Sequence, residues 1–370
     1  MKDAELYKIT LTAKSPTCVG SGISYTKKDY LYDKTSRAVT IIDGTKLINW
    51  LISCGKPNVL DEYEKFMLNN GSYLGDFFRA INIPVQEREK ITLYKADASE
   101  AISERGTLME IKAFMRDAFS RPYIPGSSLK GALRTVLLVK MLLDGSGTPS
   151  LPDDITRKNS AHDIEARCLN TLNRKSRPQD ALNSIMSGVS ISDSAPIDQK
   201  DIVLAKKIDI FSGGEKNPLK ISRECVRPGT AIKFSLTLTP ELCDRVTAQY
   251  IKDAVRTFGK YYKSSYVEKF TLPNDDAGIN FDDCILLGGG AGYFSKNIIY
   301  PGREWDYALR RVSEMMQRRF RGHHHEKDIA AGVSPRALKY TEYRAGTGQP
   351  LRSYQFGICH FQMEPAGETK

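Results

Sequence analysis

Hydrophobic and polar residues alternate strictly in two widely separated stretches of the chain. Every second position is apolar in residues 8–13, and the same period of two runs through residues 231–239. Alternation of this kind places one face of a strand against a core and the other in solvent. Both stretches are therefore predicted to be half-buried strands, and the second is the clearest strand pattern in the sequence.

Other apolar stretches predict a mixture of strands and helices. Residues 30–32 and 39–42 flank a polar segment and predict a hairpin, followed by a helix over about 45–53. Further helices are expected near residues 63–67 and 73–81, and from 239 to about 258, where Thr239-Pro240-Glu241 is typical of a helix start.

The most distinctive segment of the chain is residues 121–134, RPYIPGSSLKGALR. Pro125-Gly126 is typical of a turn, and Ser127 or Ser128 is expected to cap a helix. Apolar positions continue this helix to Asp144-Gly145. The segment therefore predicts a turn that leads into a largely buried helix.

The charges of this helix are unusual. A helix N-terminus favours acidic residues, yet this one carries Lys130, with Arg134 on the same face. Gly126 and Gly131 allow close approach of a backbone, so the segment is predicted to hold a phosphodiester from outside. An ordinary capped core helix is the alternative. Neither Gly-x-x-x-x-Gly-Lys-Ser/Thr nor Gly-x-Gly-x-x-Gly occurs here, which disfavours a nucleotide hydrolase.

A second candidate segment places four glycines within residues 288–292. Each glycine costs about 0.5 to 1 kcal/mol relative to Ala inside a helix or strand, so close approach is the expected reason for them. Backbone N–H groups of such a loop suit a phosphate backbone, while Tyr293 or Phe294 could stack a base and Lys296 could contact phosphate. A tight connection between two elements is the alternative.

Composition narrows the possible functions only loosely. The 370 residues include 54 Lys and Arg against 44 Asp and Glu, a net charge of +10 that is compatible with nucleic acid but common in other proteins. No apolar run reaches about 18 residues and no signal segment is recognisable, so a cytoplasmic protein without membrane contact is expected. The seven scattered cysteines form no Cys-x-x-Cys pair, so no disulfide framework, metal or cofactor is predicted.

The segment over residues 123–135 resembles the Pro-Gly-Ser-Ser-Leu-Lys-Gly-Ala-Leu-Arg signature of the RAMP superfamily, the RNA-binding subunits of CRISPR effector complexes. RAMP proteins carry a comparable glycine-rich loop late in the chain. Residues 15–22 resemble a third RAMP feature, a Ser/Thr-Pro-x-His-Ile-Gly-x-Gly turn, with Cys18 in place of His. That difference removes the obvious acid or base, although the glycines still suit contact with an RNA backbone. A simple hairpin turn is the alternative.

Weaker motifs narrow the resemblance to the RAMP subunit that caps the crRNA 3′ end in type III-A Csm complexes. They are residues 30–33, 41–44, 191–194, 224–230 and 356–359. The resemblance implies an α+β fold with a ferredoxin-like, RRM-related core, a large helical insertion and a second, smaller α+β domain. We expect the core to span residues 1–238, with insertions at about 45–120 and 144–190, and the second domain, which carries the glycine-rich loop, to span 239–370. Residues 144–154 are expected to be a surface loop.

The resemblance also implies membership in a crRNA-guided ribonucleoprotein and a non-enzymatic role in crRNA maturation and antiviral interference. Expected partners are crRNA, target RNA, the RAMP backbone and small subunits of the complex, and host nucleases that trim the 3′ end. Backbone-type subunits cleave target RNA with an Asp after their first strand, whereas residues 20–25 contain no acid. Asp29 and Asp33 are close in sequence but belong to the predicted hairpin.

Two alternatives stay open. A metal-independent crRNA-processing endoribonuclease of the RAMP type would use a histidine as acid or base, and the candidates are His162, His323, His324, His325 and His360. A RAMP subunit from another position of a type III complex, such as the crRNA 5′-tag end, is the second alternative. The three consecutive histidines follow a basic amphipathic helix whose arginines either contact RNA or form a solvated face.

The predicted RNA-binding residues come from the three RAMP-like segments, and no catalytic or metal-binding residue is predicted. They are Lys14, Gly20, Ser21, Gly22, Ser127, Ser128, Lys130, Gly131, Arg134, Gly288, Gly289, Gly290, Gly292, Tyr293 and Lys296.

Overall fold

Strands and helices are mixed along the whole chain, as expected for an α+β fold. The structure is a computed structural model and describes residues 3–98, 101, 110–145, 160–346 and 348–367. Within these residues the strands are β1 (Glu5–Ala13), β2 (Gly20–Tyr25), β3 (Tyr30–Asp33), β4 (Ala38–Ile42), β5 (Thr92–Asp97), β6 (Glu110–Phe114), β7 (Val189–Ile191), β8 (Ile202–Phe211), β9 (Lys216–Val226), β10 (Ala231–Leu238), β11 (Cys284–Leu286), β12 (Ala337–Arg344), β13 (Leu351–Gln355) and β14 (Ile358–Pro365). The helices are α1 (Gly44–Ser53), α2 (Val59–Leu68), α3 (Leu74–Ala80), α4 (Val85–Lys90), α5 (Gly126–Asp144), α6 (Ser160–Leu169), α7 (Pro240–Cys243), α8 (Ala248–Ser265) and α9 (Trp305–Arg319).

The two alternating stretches pair with each other. In β1, Leu11 lies opposite Ile232 of β10 on one side and opposite Phe361 of β14 on the other, and both pairings are antiparallel. The strand order of this sheet is β11-β14-β1-β10-β7. The chain order β1-α5-β7-β10-α8-β14 with the spatial order β14-β1-β10-β7 is a ferredoxin-like arrangement. The predicted ferredoxin-like core is therefore confirmed.

Helices α5 and α8 pack against each other and on one face of this sheet. Ile9, Leu11 and Ala13 are fully buried on that face, whereas Lys8 and Thr10 lie on the other. The period of two in the sequence thus decides which side of β1 meets the helices. Because α8 and β14 belong to this core, a boundary at residue 239 would cut the sheet. The two-domain division stays a prediction.

A second sheet has the strand order β2-β6-β9-β8-β5-β4-β3, and the β12–β13 hairpin pairs with β8. The hairpin predicted from residues 30–42 is its β3–β4 edge. Helices α1 to α4 follow β4 and form a small core of their own, in which the rings of Phe66 and Phe77 stack 4.8 Å apart. The insertion predicted over about 45–120 is therefore helical only to residue 90, after which β5 and β6 return to the sheet.

Two other local predictions need correction or lie outside the described residues. The helix predicted from residue 239 to about 258 is two helices, α7 and α8, interrupted at Asp244, whose φ is 51°. Most of the surface loop predicted at 144–154 lies outside the described residues. None of the helices that the structure describes is long and apolar enough to cross a membrane.

Candidate nucleic-acid interface

The three RAMP-like segments meet at one cleft of about 540 Å³, called here the signature cleft. Gly20 at the start of β2, Gly131 on α5 and Gly289 in the glycine-rich loop all line it. Its charged lining residues are Arg134, Glu165, Arg223 and Lys296. Three cations against one acid make the signature cleft a suitable surface for a polyanion.

The start of α5 is fixed by the chain that follows β7. A Cβ on Gly126 would stand 2.3 Å from the carbonyl oxygen of Ile191, so only glycine fits there. The Gly126 N–H donates a hydrogen bond of 2.8 Å to the Asp193 carboxylate. The predicted cap by Ser127 or Ser128 was therefore wrong, because a distant acid supplies the negative charge that the helix start favours. Both serines instead line the signature cleft.

A second cleft, of about 360 Å³, lies along the same helix and is called here the lysine cleft. Lys130 and His162 line it, whereas Ser127, Gly131 and Arg134 line both clefts. Burial lowers the pKa of Lys130, and the positive charge of Arg134 lowers this pKa further. Of the two predicted cations, Lys130 therefore lines only the lysine cleft, whereas Arg134 lines both clefts.

Glu165 of α6 forms an ion pair with Arg134, the residue that an RNA phosphate would also contact. The Arg134 guanidinium lies 3.1 Å from the Glu165 carboxylate, and the two side chains remain 48% and 32% exposed. Glu165 also lines both clefts. An incoming phosphate would have to share or replace this partly solvated ion pair, which is worth at most about 1 kcal/mol.

Packing between protein segments accounts for most of the glycine-rich loop. Gly288 has a φ of 93°, and a Cβ there would stand 1.9 Å from the carbonyl oxygen of Cys18. A Cβ on Gly290 would meet the ring of Phe356 at 3.2 Å, and Gly292 has a φ of 85°. The close approach inferred from the sequence is real at Gly288 and Gly290, but the neighbour is this chain itself.

The open side of the glycine-rich loop consists of Gly289 and Lys296, which are both exposed and line the signature cleft. Apart from Gly289 and its two chain neighbours, none of the described residues has a heavy atom within 4 Å of a Cβ built on Gly289. Phe294 is buried and stacks on Tyr266, with ring centroids 4.3 Å apart. Tyr293 is half-buried against the core, and burial raises its pKa. Base stacking by Tyr293 stays a prediction.

The segment between β1 and β2 is a buried connection that leads into a strand, where a turn had been predicted. Ser15 is fully buried and its hydroxyl accepts a 2.8 Å hydrogen bond from a β14 amide. Gly20 opens β2, which pairs with β6, and the Ser21 hydroxyl donates to a β6 carbonyl. Lys14 and Gly22 are exposed but are not among the residues that line either cleft.

Arg223 on β9 was missed by the sequence analysis, although it lines the signature cleft. Its neighbours Ser222 and Glu224 are buried on the opposite side of the strand. The Arg223 Nε is buried and has no hydrogen-bond partner among the described residues. The sequence offered one sign of this position, because Arg223 is a cation that alternates with apolar or buried residues along a strand.

The histidines do not converge on one site. His162 is exposed in the lysine cleft, and His360 is half-buried on β14. His325 is buried, and its Nδ1 lies 2.8 Å from the Asp328 carboxylate. Among the described residues, no group of three or more His, Cys, Asp and Glu side chains is placed to hold a metal ion.

The two acids near β2 are held in local turns. The Asp29 carboxylate accepts a 2.7 Å hydrogen bond from the Thr26 amide, and Asp33 accepts one of 2.6 Å from the Ser36 hydroxyl. The Ser36 hydrogen bond also lowers the pKa of Asp33. Both acids therefore have structural partners in and beside the β3–β4 hairpin.

The sequence pattern of a known family extends across both clefts. The RAMP superfamily model matches residues 10–310, which include α5, the glycine-rich loop and β2. The chain belongs to the RAMP superfamily. In this RAMP protein, the signature segment begins α5 and lies between the signature cleft and the lysine cleft.

Two relatives match this RAMP protein over nearly its full length. It is 26% identical to the CRISPR system Cms protein Csm5 of Enterococcus italicus, with 99% of each chain covered. It is 27% identical to the protein of that name from Streptococcus thermophilus, with 98% of each covered.

Solved structures share the fold of this RAMP protein. A chain in the cryo-EM structure of a Csm-crRNA-target RNA ternary complex of a type III-A CRISPR-Cas system matches with a TM-score of 0.61 and 19% identity, covering 96% of this chain and all of that one. The crystal structure of T. onnurineus Csm5 also matches with a TM-score of 0.61, at 18% identity, covering 95% of this chain and 99% of that one.

Proposed function

We propose that this RAMP protein is a non-enzymatic crRNA-binding end subunit of a type III-A CRISPR-Cas (Csm) effector complex. It caps the 3′ region of the crRNA and supports crRNA maturation and antiviral interference. Its partners are crRNA, target RNA, and the RAMP backbone and small subunits, with host nucleases recruited for 3′ trimming. Full-length similarity to two proteins named Csm5 supports this assignment.

The observation that carries RNA binding is the signature cleft itself. It brings Arg134, Arg223 and Lys296 to one surface, beside the exposed backbone of Gly289. Contacts of cations and amides with phosphates do not distinguish base sequence. Such contacts suit a subunit that must accept crRNAs with any spacer, so affinity should depend on salt more than on sequence.

The non-enzymatic part of the proposal is supported by where the histidines and acids lie. A general acid or base must come within hydrogen-bond reach of the reacting group. His325 has a carboxylate partner in Asp328, but the histidine is buried and its Nε2 has no contact with solvent. Asp29 and Asp33 are engaged in turns. These groups are positioned for structure rather than for attack on RNA.

One observation favours a second candidate, metal-independent RNA cleavage. His162 lies in the lysine cleft with Lys130, whose pKa is lowered by burial. A histidine and a lysine that line the same cleft could exchange protons with a ribose hydroxyl and a leaving oxygen. Lys130 and His162 are the residues of the lysine cleft from which this chemistry would be assembled.

Reconstituted particles test the proposal. Csm complexes assembled without this chain should show changed crRNA 3′ ends or reduced crRNA retention, while target cleavage by the other subunits persists at its regular spacing. Loss of all target cleavage from particles with normal crRNA content would contradict the non-enzymatic assignment. Purified protein incubated with repeat RNA in EDTA should leave the RNA intact, whereas a cut that His162→Ala abolishes would establish the second candidate.

Binding to the signature cleft needs a separate measurement. Lys296→Ala together with Arg223→Ala should weaken crRNA binding and flatten its salt dependence, by roughly 0.7 in log-log slope for each phosphate of a single strand that no longer meets a cation. Lys260→Ala together with Lys263→Ala is the matched control, because both are exposed lysines of α8 that line neither cleft. Equal effects of the cleft and control variants would argue against the signature cleft as the RNA site.

A further inference from the structure

An exposed basic surface lies along α9 and the turn that follows it, and none of its residues is among those that line the two clefts. We call it the basic platform, and its members are Arg310, Arg318, Arg319, Phe320, Arg321 and His323, all of which are exposed. Between residues 310 and 323 there are five arginines and a single acid, Glu314. This local excess of positive charge is far denser than the net +10 of the whole chain.

Ordinary helix electrostatics explain only part of this charge. Arg318 and Arg319 lie in the last turn of α9, where cations are favoured. Arg310 lies two turns earlier and Arg321 lies beyond the helix end, so the dipole does not account for either. Glu314 pairs with Arg311 at 3.2 Å and with Arg318 at 3.8 Å.

The other arginines of residues 310–323 are not neutralised by an acidic side chain that the structure describes. Arg310, Arg319 and Arg321 have no acidic partner among the described residues. They are exposed, so nothing in the described part of the chain screens them from a ligand. A phosphate backbone is the polyanion whose geometry suits the guanidinium fork.

Two rings give the platform a flat apolar surface among these charges. Phe320 is 41% exposed, an unusual position for a phenylalanine, and its ring stacks on that of His323 with centroids 5.4 Å apart and planes 11° apart. The Arg319 guanidinium lies 5.7 Å from the Phe320 ring. Stacked rings flanked by arginines are the usual surface for an unpaired base of single-stranded nucleic acid.

The platform is held in place from beneath. The Gln317 side chain accepts a hydrogen bond from the His325 amide at 2.7 Å and donates one to the Arg321 carbonyl at 3.4 Å. The buried Ser313 hydroxyl donates to the His325 carbonyl at 2.6 Å. His325 is anchored in turn on the buried Asp328. The turn that carries Phe320 and His323 is therefore preorganised, which lowers the entropy cost of binding.

We propose that the basic platform is a second RNA-binding site, which binds single-stranded RNA with its arginines on phosphates and the Phe320–His323 pair stacked on a base. The inference rests on the proposed function in taking RNA as the partner, but it adds a contact surface separate from the signature cleft. Double-stranded RNA is a poor ligand for this site because its bases are already stacked.

The test uses the full-length protein and a fluorescein-labelled single-stranded RNA, with binding followed by anisotropy over a range of salt. Replacing Arg310, Arg319 and Arg321 together by Ala should lower the log-log salt slope by about 2, at roughly 0.7 per phosphate. The matched control replaces three exposed lysines of the helical insertion by Ala and should keep the wild-type slope. These lysines are Lys46, Lys65 and Lys90.

Substitutions of the rings separate stacking from charge. Phe320→Leu keeps an apolar side chain without a flat ring, so affinity should fall at least about fivefold with the salt slope unchanged. The same variant should bind abasic RNA as well as wild type does. His323→Ala removes the other ring of the stack from a position beyond the end of α9, and it should lower affinity in the same way.

Each failure has a distinct meaning. If the triple arginine variant binds RNA like wild type while Lys296→Ala weakens binding, the platform is not an RNA site and the proposed function stands. If the triple variant loses binding of poly-glutamate but not of RNA, the platform takes an acidic protein segment and the inference is wrong. If wild-type protein does not bind RNA at all, both the inference and the proposed function fail.

Discussion

A Cβ on Gly288 would stand 1.9 Å from the carbonyl oxygen of Cys18. The same carbonyl accepts a 3.1 Å hydrogen bond from the Gly289 N–H. Because both sides of this contact are backbone, neither can move aside by changing a rotamer. The glycine-rich loop and the segment before β2, which both line the signature cleft, are thus fixed to each other.

The first prediction is that Gly288→Ala damages the fold. Its Cβ would overlap the Cys18 backbone, and its φ of 93° disfavours any side chain. Overpacking of this kind costs about 1–3 kcal/mol and the backbone strain about 1 kcal/mol more, so the free energy of unfolding should fall by about 2–4 kcal/mol. Urea unfolding measures this loss.

Gly289→Ala is the matched control for Gly288→Ala. Its Cβ would meet open space in the signature cleft, so its free energy of unfolding should stay within about 0.5 kcal/mol of wild type. RNA binding should weaken, because the methyl group occupies the surface that a phosphate approaches. A fold that tolerates Gly288→Ala as well as Gly289→Ala would disprove the close contact with Cys18.

These glycines show what local sequence can and cannot predict. The strands β1 and β10 and the helix α5 were predictable, because a period of two or a long apolar pattern decides them locally. The need for glycine at position 288 comes from Cys18, which is remote in sequence. The loop composition correctly indicated close approach, but it could not identify the approaching group.

The start of α5 was mispredicted for the same reason. A helix cap is normally sought within a few residues of the helix start, and Ser127 and Ser128 are of the right residue type. The acceptor for the Gly126 N–H is Asp193, 67 residues further along the chain. Arg223 escaped notice because only the folded β9 brings it to the signature cleft. Contacts set by topology rather than by neighbours were the ones that could not be predicted.

The second prediction concerns the competition between Glu165 and RNA for Arg134. Glu165→Gln removes the carboxylate 3.1 Å from the guanidinium, so RNA affinity should rise and the log-log salt slope should steepen by roughly 0.7. Arg134→Ala should weaken binding. Salt-dependent anisotropy with a single-stranded RNA measures both effects.

The double variant provides the control for this prediction. In Arg134→Ala with Glu165→Gln, the gain from the glutamine should disappear, since it acts only through Arg134. All three variants should unfold within about 1 kcal/mol of wild type, because the ion pair is largely solvated. A gain in affinity that survives without Arg134 would show that Glu165 repels RNA directly.

The third prediction is a pH dependence of stability from Glu224. This side chain is fully buried, accepts a 2.8 Å hydrogen bond from the Phe114 amide and lies 3.5 Å from the Arg116 guanidinium. Burial raises the pKa of Glu224 above its ordinary value of 4.5, although Arg116 opposes the shift. The folded state therefore binds the proton more tightly than the unfolded chain does.

The stabilisation from a protonated Glu224 is fully present below about pH 4.5 and is lost as the pH rises through the folded-state pKa. Glu224→Gln cannot titrate. The free energy of unfolding of wild type minus that of Glu224→Gln should therefore decrease from about pH 4.5 upward. Urea unfolding of both proteins at a series of pH values measures it. A difference that is independent of pH would contradict the raised pKa.

The last prediction is that His325 is structural. Its Nδ1 lies 2.8 Å from the Asp328 carboxylate, which also accepts a 2.7 Å hydrogen bond from the Ser334 hydroxyl. His325→Ala leaves the buried Asp328 short of a partner, so the free energy of unfolding should fall by about 1–3 kcal/mol. The exposed His162 is the control, and His162→Ala should change stability by less than about 0.5 kcal/mol.

Because the His325 Nε2 is buried, His325→Ala particles that assemble normally should retain every RNA cut of wild type. A specific cut slowed at least about a hundredfold in such particles, the scale expected when a general acid or base is removed, would make His325 catalytic and the non-enzymatic assignment wrong.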